Sequence, residues 1–140
     1  MSRYQSQVRE VINRNIIVSL AFEQGFNVFI PVYDGGVDFI LYRECDGVVR
    51  KVQLKSRWTI DRKYLSRDIW IAFPSGVDWY LMPHDEMVAL AAADGTTKTS
   101  SWTEGGLYTR PKLSDATRVA CAPYRFAPIA EVAAKAAEEP

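Results

Sequence analysis

"GVDFILYRECDGVVRKVQLKS", residues 36–56, decides how this chain folds. Two apolar runs, Val37 to Arg43 and Val48 to Lys55, flank Asp46-Gly47, the dipeptide that most often closes a tight hairpin. Alternation along the second strand sends Val52 and Leu54 to one side and leaves Gln53 and Lys55 on the other. On the first strand Asp38 shares its face with Ile40 and Tyr42, so a carboxylate enters an otherwise apolar run beside a turn. The hairpin brings the strand of Asp38 next to that of Gln53 and Lys55, and the three polar side chains can converge on one side of a twisted sheet. Burying an unpaired carboxylate is costly, so Asp38 is expected at an edge, beside a cation, or on a metal. Asp and Gln oxygens suit a hard cation such as magnesium. A lysine beside them can orient an attacking water or offset charge developing on a phosphate. The plainer reading has Asp38 closing the turn after Gly35-Gly36, and Gln53 and Lys55 forming the wet face of a half-exposed strand.

Upstream, Tyr4 to Gln24 lacks proline and glycine. Val8, Val11, Ile12, Asn15, Ile16, Ser19, Leu20 and Glu23 recur at helical spacing. Ser2 or Ser6 can cap that helix, and Gly25 stands where its stop residue belongs. A short strand, Phe26 to Pro31, and the turn Tyr33-Asp34-Gly35-Gly36 then lead into the hairpin. Downstream, Arg57 to Arg67 reads as a loop or short helix. Ile69 to Phe73 and Val77 to Met82 form a second hairpin around Pro74-Ser75-Gly76. Pro83 opens a helix over His84 to Ala93, which Asp94-Gly95 ends. Thr96 to Gly106 reads as a mobile loop. The organisation predicted is a single domain over 1–125, followed by an Ala-rich tail or short helix over 126–140.

At 140 residues the chain suits one core, and its 17 basic and 17 acidic side chains cancel. Zero net charge removes any global electrostatic argument for nucleic acid, but the charge is unevenly placed. Arg43 to Arg67 holds eight Lys/Arg against Glu44, Asp46, Asp61 and the adjoining Asp68, a local excess able to attract phosphate. Within it Arg57, Arg62, Lys63 and Arg67 are candidate phosphate contacts, with Trp58 and Tyr64 interleaved as stacking or packing surfaces. Cys45 and Cys121 have neither metal-ligand spacing nor a disulfide framework. No apolar run reaches the roughly 18 residues of a membrane span, so a soluble cytoplasmic protein without a membrane partner is expected. His84 is the only histidine, and its place after Pro83 suggests a helix cap or surface residue. No zinc cluster or phosphate-binding glycine loop is present, which removes several enzyme classes.

Gly36-Val37-Asp38, a strand, a turn and Gln53-Leu54-Lys55 together resemble the PD-(D/E)XK nuclease superfamily, in the QxK variant found in some homing and intron-associated endonucleases. The likeness runs from about Val8 to Val88. It includes a helix ending at Gly25-Phe26 before the motif and "DIWIAF" and "WYLMPHDEM" after it. The resemblance implies an α/β (α+β) fold with a restriction-endonuclease-like mixed sheet flanked by helices, in the order α-β-β-β-α-β. It implies Asp38 as metal-binding aspartate, Gln53 as the variant second ligand, the Leu54 carbonyl as a further ligand and Lys55 as catalytic lysine. Glu10 on the first helix would complete the site, with Glu23 in reserve. Magnesium or manganese would be the cofactor, DNA the partner, and a homodimer or tetramer the assembly. Two departures matter: Val37 replaces the proline of the motif, and Gln53 removes one negative charge from the metal site. The expected function is therefore a metal-dependent endonuclease, the alternative being a catalytically inactive nuclease-fold module that binds nucleic acid or a protein partner.

Overall fold

The computed structural model describes residues 2–127; of the tail expected over 126–140, Phe126 and Ala127 are buried in the domain and residues 128–140 lie outside the described residues. The fold is mixed α/β. Helix α1 (Arg3–Glu23) is followed by β1 (Asn27–Phe29), β2 (Phe39–Arg43), β3 (Val48–Leu54), β4 (Trp58–Asp61), β5 (Ile69–Ser75), β6 (Asp78–Pro83), α2 (His84–Ala93), α3 (Ser100–Thr103), β7 (Leu107–Arg110) and α4 (Asp115–Cys121). Five strands form one sheet in the order β1-β2-β3-β5-β6, and β4 pairs with β7 in a separate ribbon. Strands β3 and β5 run parallel, while the other pairs in the sheet are antiparallel.

Local chemistry explains these elements. Ser2 and Gln5 close a reciprocal capping box at the start of α1. At its other end Gly25 takes φ +84°, and the N–H groups of Gly25 and Phe26 return to the carbonyls of Phe22 and Ala21, the pairing that ends helices through a left-handed glycine. Both hairpins form, with Phe39 opposite Val52 in the first and Phe73 opposite Tyr80 in the second; the second ladder runs on through Pro74 and Ser75, so its turn is Gly76-Val77, not Pro74-Ser75-Gly76.

The sheet is covered on both faces. Ile17 and Ala21 of α1 pack with Phe39, Leu41, Val52, Ala72, Leu81 and Phe126 on one face. On the other, Ile69, Ile71, Phe73, Tyr80 and Met82 meet Trp58, Ile60, Tyr64, Met87 and Trp102. The 21 residues of α1 span about 31 Å, whereas a strand of seven covers only about 23 Å. The helix therefore overhangs the sheet. Ile17 and Ala21 are fully buried, but Val8, Val11, Ile12 and Ile16 remain exposed. No described helix is long and apolar enough to cross a membrane.

Two segments differ from the sequence reading. Arg57 to Arg67 contains strand β4 and a 3-10 turn over Arg62–Tyr64, and these form the crossover that lets β5 return parallel to β3. Trp58 and Tyr64 are core residues, buried to 1% and 2% exposure, so neither offers a stacking surface. Thr96 to Gly106 is a short 3-10 turn and helix α3, anchored by buried Trp102. Its polar composition concealed one large apolar anchor.

Candidate functional site

Where β2 and β3 part company, Asp38 stands at the fork. Its N–H bonds the Val52 carbonyl at 2.8 Å, just beyond Phe39 and Val52, the last pair of the ladder. Two residues later on β3 the partner changes: the Leu54 N–H donates to Asp38 Oδ2 at 2.7 Å, and the Lys55 N–H donates to the Ala72 carbonyl of β5 at 2.9 Å. The carboxylate thus fills the ladder position that β2 has vacated.

The turn before β2 supplies a second carboxylate. Asp34 accepts the N–H groups of Gly36 and Val37 on Oδ1, which keeps it beside Asp38. Burial raises the Asp38 pKa above its ordinary value; the Leu54 N–H opposes this, Asp34 adds to it, and Arg14 works against it more weakly. A groove of about 360 Å³ opens here, lined by Gln7, Glu10 and Arg14 of α1 with Asp34, Asp38 and Leu54. A second groove of about 530 Å³ adjoins it through Glu10 and Leu54, and its cations are Arg9, Lys55 and Arg57.

Glu10, Asp38, Leu54 and Lys55 therefore meet around adjoining grooves at the end of the sheet. Gln53 is set differently: it lines neither groove, and its Oε1 is buried without a hydrogen-bond partner. Glu23, the reserve ligand, ends α1 about 20 Å along the helix from Glu10. It lines neither groove.

The four candidate phosphate contacts separate. Arg57 lines the second groove. Arg67 supports the site from behind: its Nη2 donates to the Gly35 carbonyl at 3.1 Å, and its own carbonyl accepts from Lys51 Nζ at 2.6 Å. Lys63 reaches Asp61 at 3.6 Å and lies over the Tyr64 ring, while the Arg62 guanidinium packs against Gly106. Neither Arg62 nor Lys63 lines the two grooves.

Sequence reasoning missed Asp34 as an electrostatic neighbour and Arg9 and Arg14 as groove residues. A signal existed, since Gln7, Glu10 and Arg14 recur at three- and four-residue intervals and so share one helix face. His84, expected at the surface, is fully buried. Its Nε2 accepts the Asp61 N–H at 3.0 Å, its Nδ1 faces Asp85, and its ring stands edge-on to Tyr64 at 5.6 Å. Burial lowers its pKa, with Asp85 opposing, so the ring is neutral with its proton on Nδ1. The cap position proved to be a core position because β4 passes directly beneath the start of α2.

A divalent cation fits the donor chemistry available. Glu10 and Asp38 offer carboxylates and Leu54 a carbonyl at the first groove, the oxygen ligands hard cations take, whereas the unpartnered amide oxygen of Gln53 is buried outside it. Among the described residues no three His, Cys, Asp or Glu side chains are gathered as a metal cage. A cation here would depend on neutral oxygens and water to complete its shell. Comparison with protein-family models, curated proteins and solved structures finds no match for this chain.

Proposed function

We propose that the protein is a metal-dependent endonuclease that hydrolyses phosphodiester bonds of DNA. The observation that carries this reading is that Glu10 of α1, Asp38 just before β2 and Lys55 just after β3 line adjoining grooves at the fork between the two strands. The resemblance of Asp38 and Gln53-Leu54-Lys55 to the QxK nuclease pattern assigns them the same roles.

Asp38, Glu10 and the Leu54 carbonyl would hold magnesium or manganese. The cation would supply Lewis-acid polarisation of the phosphate and lower the pKa of bound water. The protein's own part is positioning and charge. The Lys55 ammonium, held over the Tyr64 ring at 5.5 Å, sits where it can orient the attacking water and offset negative charge on the non-bridging oxygens. Water oxygen bonds to phosphorus, the bond to one sugar oxygen breaks, and that oxygen leaves with a proton as a hydroxyl, leaving a phosphate monoester on the other end. Ionised Asp38 is needed for the metal, so a carboxylate with a raised pKa predicts activity that falls on the acid side.

The test is cleavage of plasmid and labelled oligonucleotide DNA with magnesium or manganese. Asp38→Asn and Lys55→Met are each expected to reduce the rate by 100-fold or more, roughly the contribution of a positioned charge in such a site. Absence of cleavage of DNA and RNA by the wild type with every divalent metal tried overturns the reading. One observation favours the binding-module alternative: Asp38 Oδ2 already has a structural task on the Leu54 N–H. Metal-independent DNA binding without cleavage is the result that would select it.

A further inference from the structure

The two grooves of the candidate site are not the end of the depression. A third, of about 530 Å³, continues from the second through Ser56 and Arg57 and passes between the end of β5 with its turn residue Gly76 and, on the other side, Lys112 of the segment joining β7 to α4 and Arg118 of α4. Strands β3 and β5 run parallel, so their carboxyl ends, Leu54 and Ser75, open on the same edge. The second and third grooves follow that edge, the place where open sheets with parallel strands commonly take ligands.

Charge is sorted along this path although the chain as a whole is neutral. Carboxylates predominate at the first end, where Asp34, Asp38 and Glu10 stand against one cation, Arg14. Beyond Glu10 the ionisable groups that line the second and third grooves, among the described residues, are Arg9, Lys55, Arg57, Lys112 and Arg118, with no further carboxylate. Among the described residues no aromatic side chain lines any of the three. The residues between the cations are serine, asparagine, proline, glycine and leucine, which suit close approach and hydrogen bonding to phosphate and offer no surface for stacking bases.

Building on the nuclease reading, we infer that Arg57, Lys112 and Arg118 form a track for the phosphodiester backbone of one nucleic-acid strand leaving the candidate site along the carboxyl ends of β3 and β5. The track holds the strand by its phosphates, so it tolerates sequence and is sensitive to salt. Arg57, shared by the second and third grooves, joins the track to the site. Lys112 and Arg118 are exposed and far along the chain from the motif residues. Arg118 pairs with Asp115 at 3.5 Å, an exposed pair of the kind that contributes little and exchanges readily for a phosphate.

The experiment is fluorescence anisotropy of labelled single-stranded DNA of two unrelated sequences across a salt series, without divalent metal, beside cleavage assays of the wild type with magnesium. Lys112→Ala/Arg118→Ala is expected to weaken binding about tenfold at low salt and to reduce the salt slope by about 1.5, as loss of two phosphate contacts requires. The charge-keeping pair Lys112→Arg/Arg118→Lys should retain binding. Lys98→Ala, which removes a cation outside the track, should leave affinity and slope unchanged. Thermal melts by circular dichroism confirm that each variant is folded. Wild-type affinity and slope in the folded double-alanine variant overturn the track, and the nuclease reading stands if the wild type still cuts. Loss of binding in the double variant of a wild type that binds but never cuts supports the track and overturns the catalytic reading. A wild type that neither binds nor cuts overturns both.

Discussion

His84 and Asp38 are ionisable side chains taken out of water on opposite terms. Beneath the start of α2, His84 has no exposed surface; one ring nitrogen accepts a backbone N–H and the other faces a carboxylate. At the fork of β2 and β3, Asp38 is half-buried and has one oxygen on a backbone N–H. A second carboxylate lies beside it, and a groove opens in front of it. The first arrangement gives a neutral group its partners, and the second keeps a charge where burial and a like charge both oppose it. Satisfied polar groups stabilise, whereas an opposed carboxylate in a groove costs stability, a cost that the proposed metal site would account for. Substitutions at the two places should accordingly move stability in opposite directions.

The largest effect is expected from His84→Ala. It strands the Asp61 N–H and opens a cavity against Tyr64, for a loss of about 3 kcal/mol measured by urea unfolding. The wild type carries a matching pH dependence. His84 has a folded pKa below its ordinary 6.5, so under pH 6.5 the unfolded chain binds a proton that the folded chain refuses. Stability then falls as pH drops through that window. A variant with glutamine at the position should lose this slope. A His84→Ala protein as stable as wild type would remove the distinction between the two sites.

These two residues also show what one sequence can and cannot disclose. The hairpins, the capped helix and the place of Asp38 beside the end of β3 follow from short-range rules, in which turn residues set register and register sets faces. They were legible. His84 was misjudged because its burial depends on β4, a strand concealed within a basic segment whose apolar residues, Trp58 and Ile60, alternate for only four positions. Arg67 carries the same lesson. Its charge suggested a phosphate contact, but the turn through Ser66, tied to Asp85, carries it back to the Gly35 carbonyl. The overhang of α1 was hidden too, since the lengths of helix and sheet must be compared before Val11 and Ile16 can be recognised as exposed.

An intermediate effect is expected at the turn that presents the two carboxylates. Gly36 has φ +102°, and a Cβ there would stand 3.5 Å from both Arg67 Nη1 and Tyr64 Cε1. Space is adequate, so the backbone supplies the penalty: Gly36→Ala should cost about 1–2 kcal/mol. Arg67→Ala removes the bond to the Gly35 carbonyl and should cost about 1 kcal/mol. Both act on the support of Asp34 and Asp38. Magnesium binding by calorimetry should weaken in each while the fold persists; unchanged binding in both would separate the turn from the site.

The smallest change in stability, and the most informative, belongs to Asp38→Asn. The amide oxygen can still accept the Leu54 N–H, while the buried charge and its repulsion with Asp34 disappear. The variant should melt a few degrees above wild type at pH 7, the order expected of a modest gain in a domain of this size. Because the folded pKa of Asp38 is raised above its ordinary 3.8, the wild-type penalty is absent below that ordinary value. It grows as pH rises through the folded pKa, so the gap between the melts should close as the solution is acidified. Magnesium should also narrow the gap at pH 7 by stabilising wild type alone. A variant less stable than wild type at pH 7 would mean that the ionised carboxylate serves chiefly to hold the fork, like His84 beneath α2, and the contrast between the two places would fail.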